Sequence, residues 1–430
     1  MRRMSNSKIC PILSAKIMSQ SKEELPVIVQ LKEGNTELEN GIMSLSTRVK
    51  SSLPLINGIA CNLTTDIIYR LANSPNIEYI SFDSKVFTQL DIAVPTIEAQ
   101  FPHERGYKGK GITIAVIDTG VAPHQDLTRP VNRIVGFKDF INKKSSPYDD
   151  NGHGTHVSGI IASNGFSSRG KYTGVAPESN ILAIKALDSE GSGNTSNIVS
   201  AISYAVETKN QYDTKILNLS IGSPANNSCQ NDPLCKAVRK AVRSGLIVVV
   251  AAGNSGPDEK TILAPGISPD VITVGAVDDK RTINPKDDSI APFSSRGPTN
   301  EGLVKPDVVA PGVNINSLSN SKLDGYNALS GTSMATPLVS GSVALLLNKH
   351  GSLSPRDVKK KLMSSCIDLK EPRENQGAGL LSLQKLFYEP DKEKANDIER
   401  KRRPPTPDRN NLLENFLVLL LVLFLLDENM

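Results

Sequence analysis

The sequence predicts an α/β fold, a doubly wound, mostly parallel sheet with helices on both faces, preceded by a small α+β unit. Three observations carry that expectation. From Gly111 onward, short runs rich in β-branched residues alternate with amphipathic stretches of helical period, the pattern of buried parallel strands joined by crossover helices. Several of those runs end on a polar residue beside a glycine, as strands do at a reactive sheet edge. Residues 25–90 instead read as strands around one helix.

Composition sets the outer bounds. At 430 residues, 38% hydrophobic and 22% charged, the chain is globular and can bury at least one large core. A net charge of +4, with no basic face interleaved with aromatics, argues against nucleic acid as a partner. Five scattered cysteines are an odd number without a CxxC or zinc spacing, which fits a reducing compartment; Cys229 and Cys235 would bridge only in an oxidising one.

The elements follow in order. Residues 1–24 form an N-terminal extension whose apolar stretch is interrupted by Lys16, so no signal peptide is expected. Within residues 25–90, "LPVIVQLKEG", "LPLINGIACNL" and "IEYISFDSKVF" read as strands and "TTDIIYRLANS" as a helix. Across residues 95–388, the strands are "GITIAVID", "ILAIKAL", "KILNLSI", "LIVVVAAGN" and "VITVGAV", with helices such as "SNIVSAISYAVETK" between them. Residues 389–411 are charged and proline-rich, an exposed linker. Residues 412–430 carry "FLVLLLVLFLL", which as a helix reaches only about 16 Å against a hydrocarbon core of about 30 Å; an interfacial tail is expected ahead of a membrane anchor. The expected setting is cytoplasmic, with membrane association through this tail as the alternative.

Four polar groups stand at strand ends or helix starts. Asp118 closes "AVIDTG", where it serves as a turn cap or as a buried carboxylate. "YDDNGHGTHVSG" leads into a helix with His153 and His156; the pair lacks the intervening Glu of a zinc motif. His153, flanked by Gly152 and Gly154, is the better candidate base, and His156 is expected to pack inside. Asn254 in "AAGNSGP" is either an ordinary turn residue or an amide donor to a developing oxyanion. Ser333 opens a helix in "SGTSMATP", where Pro337 removes the helical bond to the carbonyl of Ser333 and so asks for a reason. Together the four supply a nucleophile, a base, an orienting acid and an oxyanion donor, the set that acyl transfer needs.

In chain order, "AVIDTG", "NGHGTHVSG", "AAGNSGP" and "SGTSMATP" resemble the signature segments of the subtilisin-like serine proteases. "PYDDNGHGTH", "FSSRGPT" and "KPDVVAPGVNI" are similar to the intracellular branch, which lacks a signal peptide. The resemblance implies a serine endopeptidase acting on extended or unfolded polypeptides, with no cofactor for its chemistry. It makes Asp118 the orienting carboxylate, His153 the general base, Ser333 the nucleophile and Asn254 the oxyanion donor. It implies that substrate binds as an added strand along the backbone of Leu219, Ser220, Ile221 and Gly222. It also makes Ala251, Ala252 and Gly253 one wall of the pocket for the residue before the cut, with Leu263, Ala264 and Pro265 near its base. The small unit resembles the family's inhibitory propeptide, a ferredoxin-like α+β domain, so a self-processing zymogen is implied, cut between about Ser84 and Leu90. Structural calcium is implied too: Asp126 stands where a carboxylate ligand is expected, although the loop "SNGFSSRGKYTG" shows no ligand pattern. A lipid esterase would show a G-x-S-x-G elbow, which is missing, and an inactive peptide-binding relative would lack a catalytic residue.

Overall fold

The computed structural model describes residues 24–32, 36–53, 57–82, 90–225 and 228–388, with a few isolated positions before residue 24. The expectations for the linker, the apolar tail, Cys10 and most of the processing segment lie outside the described residues. The chain divides into two compact units, residues 1–87 and 88–430. Among the described residues no helix is long and apolar enough to cross a membrane.

The first unit runs β1 (Leu25–Leu31), α1 (Thr36–Leu45), β2 (Arg48–Leu53), β3 (Gly58–Leu63), α2 (Thr65–Ala72) and β4 (Ile77–Phe82). Its antiparallel sheet has the order β2-β3-β1-β4, the arrangement of a ferredoxin-like βαββαβ unit. Alternation along β1 buries Val27, Val29 and Leu31 on one face, where Ile68 and Leu71 of α2 join the same core. Neither α1 nor β2 stands out in the sequence, because α1 carries Gly41 and polar residues and "RVKSSL" has few apolar positions to alternate.

The second unit is built on a ten-stranded sheet. Its first strands are β5 (Thr113–Asp118), β6 (Ile134–Asp139), β7 (Asn180–Lys185), β8 (Thr214–Leu219), β9 (Ile247–Ala251), β10 (Ile272–Asp278), β11 (Ser289–Ile290) and β12 (Val308–Pro311). A separate hairpin, β13 (Ile315–Leu318) with β14 (Tyr326–Leu329), precedes β15 (Cys366–Ile367) and β16 (Leu380–Leu381). The spatial order is β15-β16-β12-β10-β9-β8-β5-β7-β6, parallel from β16 to β6, with β11 and β15 antiparallel additions.

Both faces of this sheet are covered, which is why its strands read as unbroken apolar runs. Along β5, Ile114 and Val116 face one core and Ala115 and Ile117 the other. The first face packs α3 (His153–Ala162), the second α4 (Thr195–Glu207) and α5 (Pro233–Arg243). α6 (Thr332–His350) lies against the first face and is buried without a break from Met334 to Leu347. Truncating Leu346, fully buried near the C-terminal end of that run, to alanine should cost about 2–5 kcal/mol. Cys229 and Cys235 are buried free thiols.

This topology positions the site. From β5 the chain turns to β6 and β7 on one side, and after β7 it crosses to β8 on the other, so the strand order reverses between β5 and β8. A crevice opens beyond the carboxyl ends at such a reversal. Asp118 ends β5, and Ser220 follows β8.

Candidate active site

Asp118 is fully buried, and its Oδ1 accepts from Thr119 N at 2.8 Å and from His153 Nδ1 at 2.7 Å. That second bond puts the proton on Nδ1 and leaves Nε2 as the accepting nitrogen. The approach is close because α3 begins against the end of β5: a Cβ on Gly154 would lie 2.2 Å from Gly120 O and 3.0 Å from Asp118 Cβ. Burial alone would lower the His153 pKa, but the charge and hydrogen bond of Asp118, with the charge of Asp149, outweigh it and raise the pKa above its ordinary value. The His153 side chain is 26% exposed, so the ring is reachable from solvent.

Asp149 is a positioning residue that sequence reasoning missed. One oxygen accepts from Thr119 Oγ1, Asn151 N and Gly152 N, the other from Thr155 N and Thr155 Oγ1, at 2.7–3.1 Å. A buried carboxylate thus satisfies orphan N–H groups at the start of α3 and ties them to the strand that carries Asp118. Its signal was present, an acidic residue just ahead of a helix. His156 turns inward as expected: its Nε2 donates to Ile315 O at 2.9 Å, and burial, then the neighbouring His153, pushes its pKa down to about 3.

Ser333 is the second residue of α6. Its hydroxyl donates to Ser220 O at 2.9 Å rather than to His153. Its own carbonyl, which Pro337 leaves without a helical donor, accepts from Ser220 Oγ at 3.0 Å. Asn254 is anchored by its oxygen, which accepts from Thr332 N at 2.9 Å and Thr332 Oγ1 at 3.0 Å, so the amide hydrogens are left for the cleft.

His153, Asn254 and Ser333 border one cleft of about 670 Å³. Ser220, Ile221 and Gly222 line one side, and Ala251, Gly253 and Leu263 also border it. The glycine-rich turn Glu190, Gly191, Ser192 and Gly193 lines the cleft as well; sequence reasoning missed this turn, although its position just after β7 was the cue. Leu219, Ala252, Ala264 and Pro265 turn their side chains away from the cleft, so they could meet a substrate only through their backbone. Leu219 points into the core under α4 and α5, Ala252 and Ala264 pack with the Cys229–Cys235 cluster, and Pro265 is buried beside them. Alternating side-chain direction along an extended segment sends these neighbours away from the cleft.

Around Asp126 the groups do not fit calcium, against the expectation. Its carboxylate accepts from Ser163 Oγ at 2.9 Å, Tyr326 OH at 2.9 Å and Ser167 N at 2.7 Å, and the buried Arg133 donates to its main-chain oxygen. Calcium takes an oxygen shell, and neither a backbone N–H nor a guanidinium can join one. Among the described residues, no group of three His, Cys, Asp or Glu side chains is placed to hold a metal.

Residues 109–381 match the model of the subtilase family. Serine protease AprX of Bacillus subtilis (strain 168) is 40% identical over 390 residues, covering 84% of this chain and 88% of that protein. Subtilisin DY of Bacillus licheniformis is 40% identical over 279 residues, covering 64% of this chain and 91% of that protein. Among solved structures, Sphericase superposes with a TM-score of 0.56 at 34% identity, covering 64% of this chain and 93% of its own.

Proposed function

The chain belongs to the subtilase family of serine endopeptidases, and we propose that it cuts extended or unfolded polypeptides through an acyl-enzyme on Ser333, with Asp118, His153 and Asn254 in attendance. The observation that carries this reading is the 2.7 Å bond from His153 to a buried Asp118 in the cleft that Ser333 and Asn254 also border. No cofactor is needed for the chemistry.

The hydroxyl of Ser333 first swings from Ser220 O to Nε2 of His153, a bond that tightens only with substrate in place. Nε2 takes the proton as the oxygen attacks the scissile carbonyl, and Asp118 steadies the imidazolium. The oxyanion meets the Asn254 amide and the N–H of Ser333, a free donor at the start of α6. His153 then hands its proton to the leaving amine, and water reverses the sequence. A peptide lying as an extra strand between Ser220–Gly222 and Gly191–Gly193 would present its carbonyl to this group.

We further propose that the ferredoxin-like unit acts as an intramolecular inhibitor, removed by the enzyme's own cleavage. Incubation with a serine-directed fluorophosphonate should label the Ser333 peptide, and mass spectrometry should find the N-terminal unit cut away in the wild-type chain but retained in Ser333→Ala. An unlabelled Ser333 in the processed protein would end this reading.

A further inference from the structure

Gly222 and Gly253 face one another beside Ser333, and the side chain of Leu263 already occupies the gap. A Cβ on Gly253 would stand 2.5 Å from Leu263 Cγ and 2.8 Å from its Cδ1. One on Gly222 would stand 2.8 Å from Leu263 Cβ and 3.0 Å from Cδ1. One isobutyl group therefore touches both glycine walls, which only residues without a Cβ allow.

Backbone pairing fixes Leu263 in that position. Leu263 N donates to Ala252 O at 2.9 Å, and Ser223 and Ala264 exchange N–H···O bonds of 2.9 Å in each direction. Ala264 behind it is fully buried, so the segment cannot slide without opening the core. Leu263 itself is half-buried and borders the cleft. The gap is bordered by backbone, the Leu263 side chain and one hydroxyl, Ser295 Oγ, which accepts from Ser255 N at 3.1 Å; none of these groups is charged, so it can sort side chains by size.

We infer that Leu263 plugs the pocket for the side chain preceding the cut and restricts that residue to small ones, such as alanine, glycine or serine. This rests on the reading of the cleft as the substrate site. A phenyl ring would need the volume that the isobutyl group holds, in a slot whose walls are backbone and cannot give.

The test is a set of matched peptide p-nitroanilides that differ only in having Ala, Leu or Phe before the bond cut, assayed on the processed enzyme and on Leu263→Gly and Leu263→Ala. Fluorophosphonate labelling of Ser333 counts the active sites in each preparation. Wild type should favour Ala over Phe by about tenfold or more in kcat/KM. Leu263→Gly should raise turnover of the Phe substrate by about tenfold or more, with Leu263→Ala between the two. A wild type that cuts Phe as well as Ala would overturn the inference. So would variants that label like wild type yet keep its profile. If wild-type Ser333 does not label, the reading of the site itself fails, and this inference with it.

Discussion

Ser220 and Ser333 exchange hydrogen bonds: the Ser220 hydroxyl donates to the Ser333 carbonyl at 3.0 Å, and the Ser333 hydroxyl to the Ser220 carbonyl at 2.9 Å. Asn218 Nδ2 donates to Ser220 Oγ at 3.0 Å, and Ser340 Oγ to Asn218 Oδ1 at 2.8 Å, so the helix is tied twice to the end of β8. Proline at 337 is tolerable because Ser220 supplies the donor it lacks. Ser220→Ala should therefore orphan a buried carbonyl and cost about 1–3 kcal/mol in denaturant unfolding, with Ser220→Thr recovering most of it. Equal stability of Ser220→Ala and wild type would mean the exchange adds nothing.

The raised pKa of His153 shapes the pH profile. The free base that accepts the Ser333 proton should appear only as pH climbs past the ordinary imidazole value of about 6.5, so kcat/KM should rise on the alkaline side of it. For stability the sign is the reverse. The ion pair with Asp118 stabilises the fold fully below about 6.5 and is lost as pH rises through the raised value. Asp118→Asn should move the activity profile to lower pH and cut kcat by about 10⁴-fold near neutrality. An unshifted profile in that variant would separate the raised pKa from Asp118.

Asn254→Ala should lower kcat by about 10²–10³-fold with little change in KM, because its amide hydrogens meet charge that exists only in the transition state. Thr332 holds the amide oxygen, so Thr332→Val should produce a smaller loss of the same kind by freeing the side chain to turn. A loss that fell on KM alone would place Asn254 in ground-state binding.

The large sheet was legible because its strands are buried on both faces, so β5, β7, β8, β9 and β10 stand out as unbroken apolar runs. The polar groups were legible for a related reason: Asp118 and Asn254 interrupt the sequence where those runs stop. What could not be read depends on partners far along the chain. Nothing near Ser333 shows that its hydroxyl meets Ser220 O, and nothing near Leu263 shows that its side chain enters the gap between Gly222 and Gly253. Asp126 could not be resolved from sequence because a carboxylate at a given position looks alike whether it meets a cation or three hydrogen-bond donors.

Those donors give Asp126 a distinct signature. Asp126→Asn presents an NH₂ group to hydroxyl and N–H donors and should destabilise the protein by about 1–3 kcal/mol. The difference in melting temperature between wild type and variant should be the same in excess calcium and in chelator. A gap that widens with calcium would make Asp126 a ligand after all.

Asp288 offers the last test, because both its oxygens are buried without a hydrogen-bond partner. Burial first, then the charges of Asp279, Asp287 and Asp278, push its pKa up to about 7, and burial raises Asp279 to about 6. A carboxyl with an ordinary unfolded value of about 3.9 thus holds its proton in the native state across a window where the unfolded chain has released it. The native fold accordingly loses stability as pH rises from about 4 to about 7 and does not regain it above. Asp288→Asn removes the ionisation and should raise the melting temperature at pH 8 while leaving it nearly unchanged at pH 4. An equal gain at both values would assign the effect to shape or to new hydrogen bonds of the amide, since neither varies with protonation of a group that is no longer there.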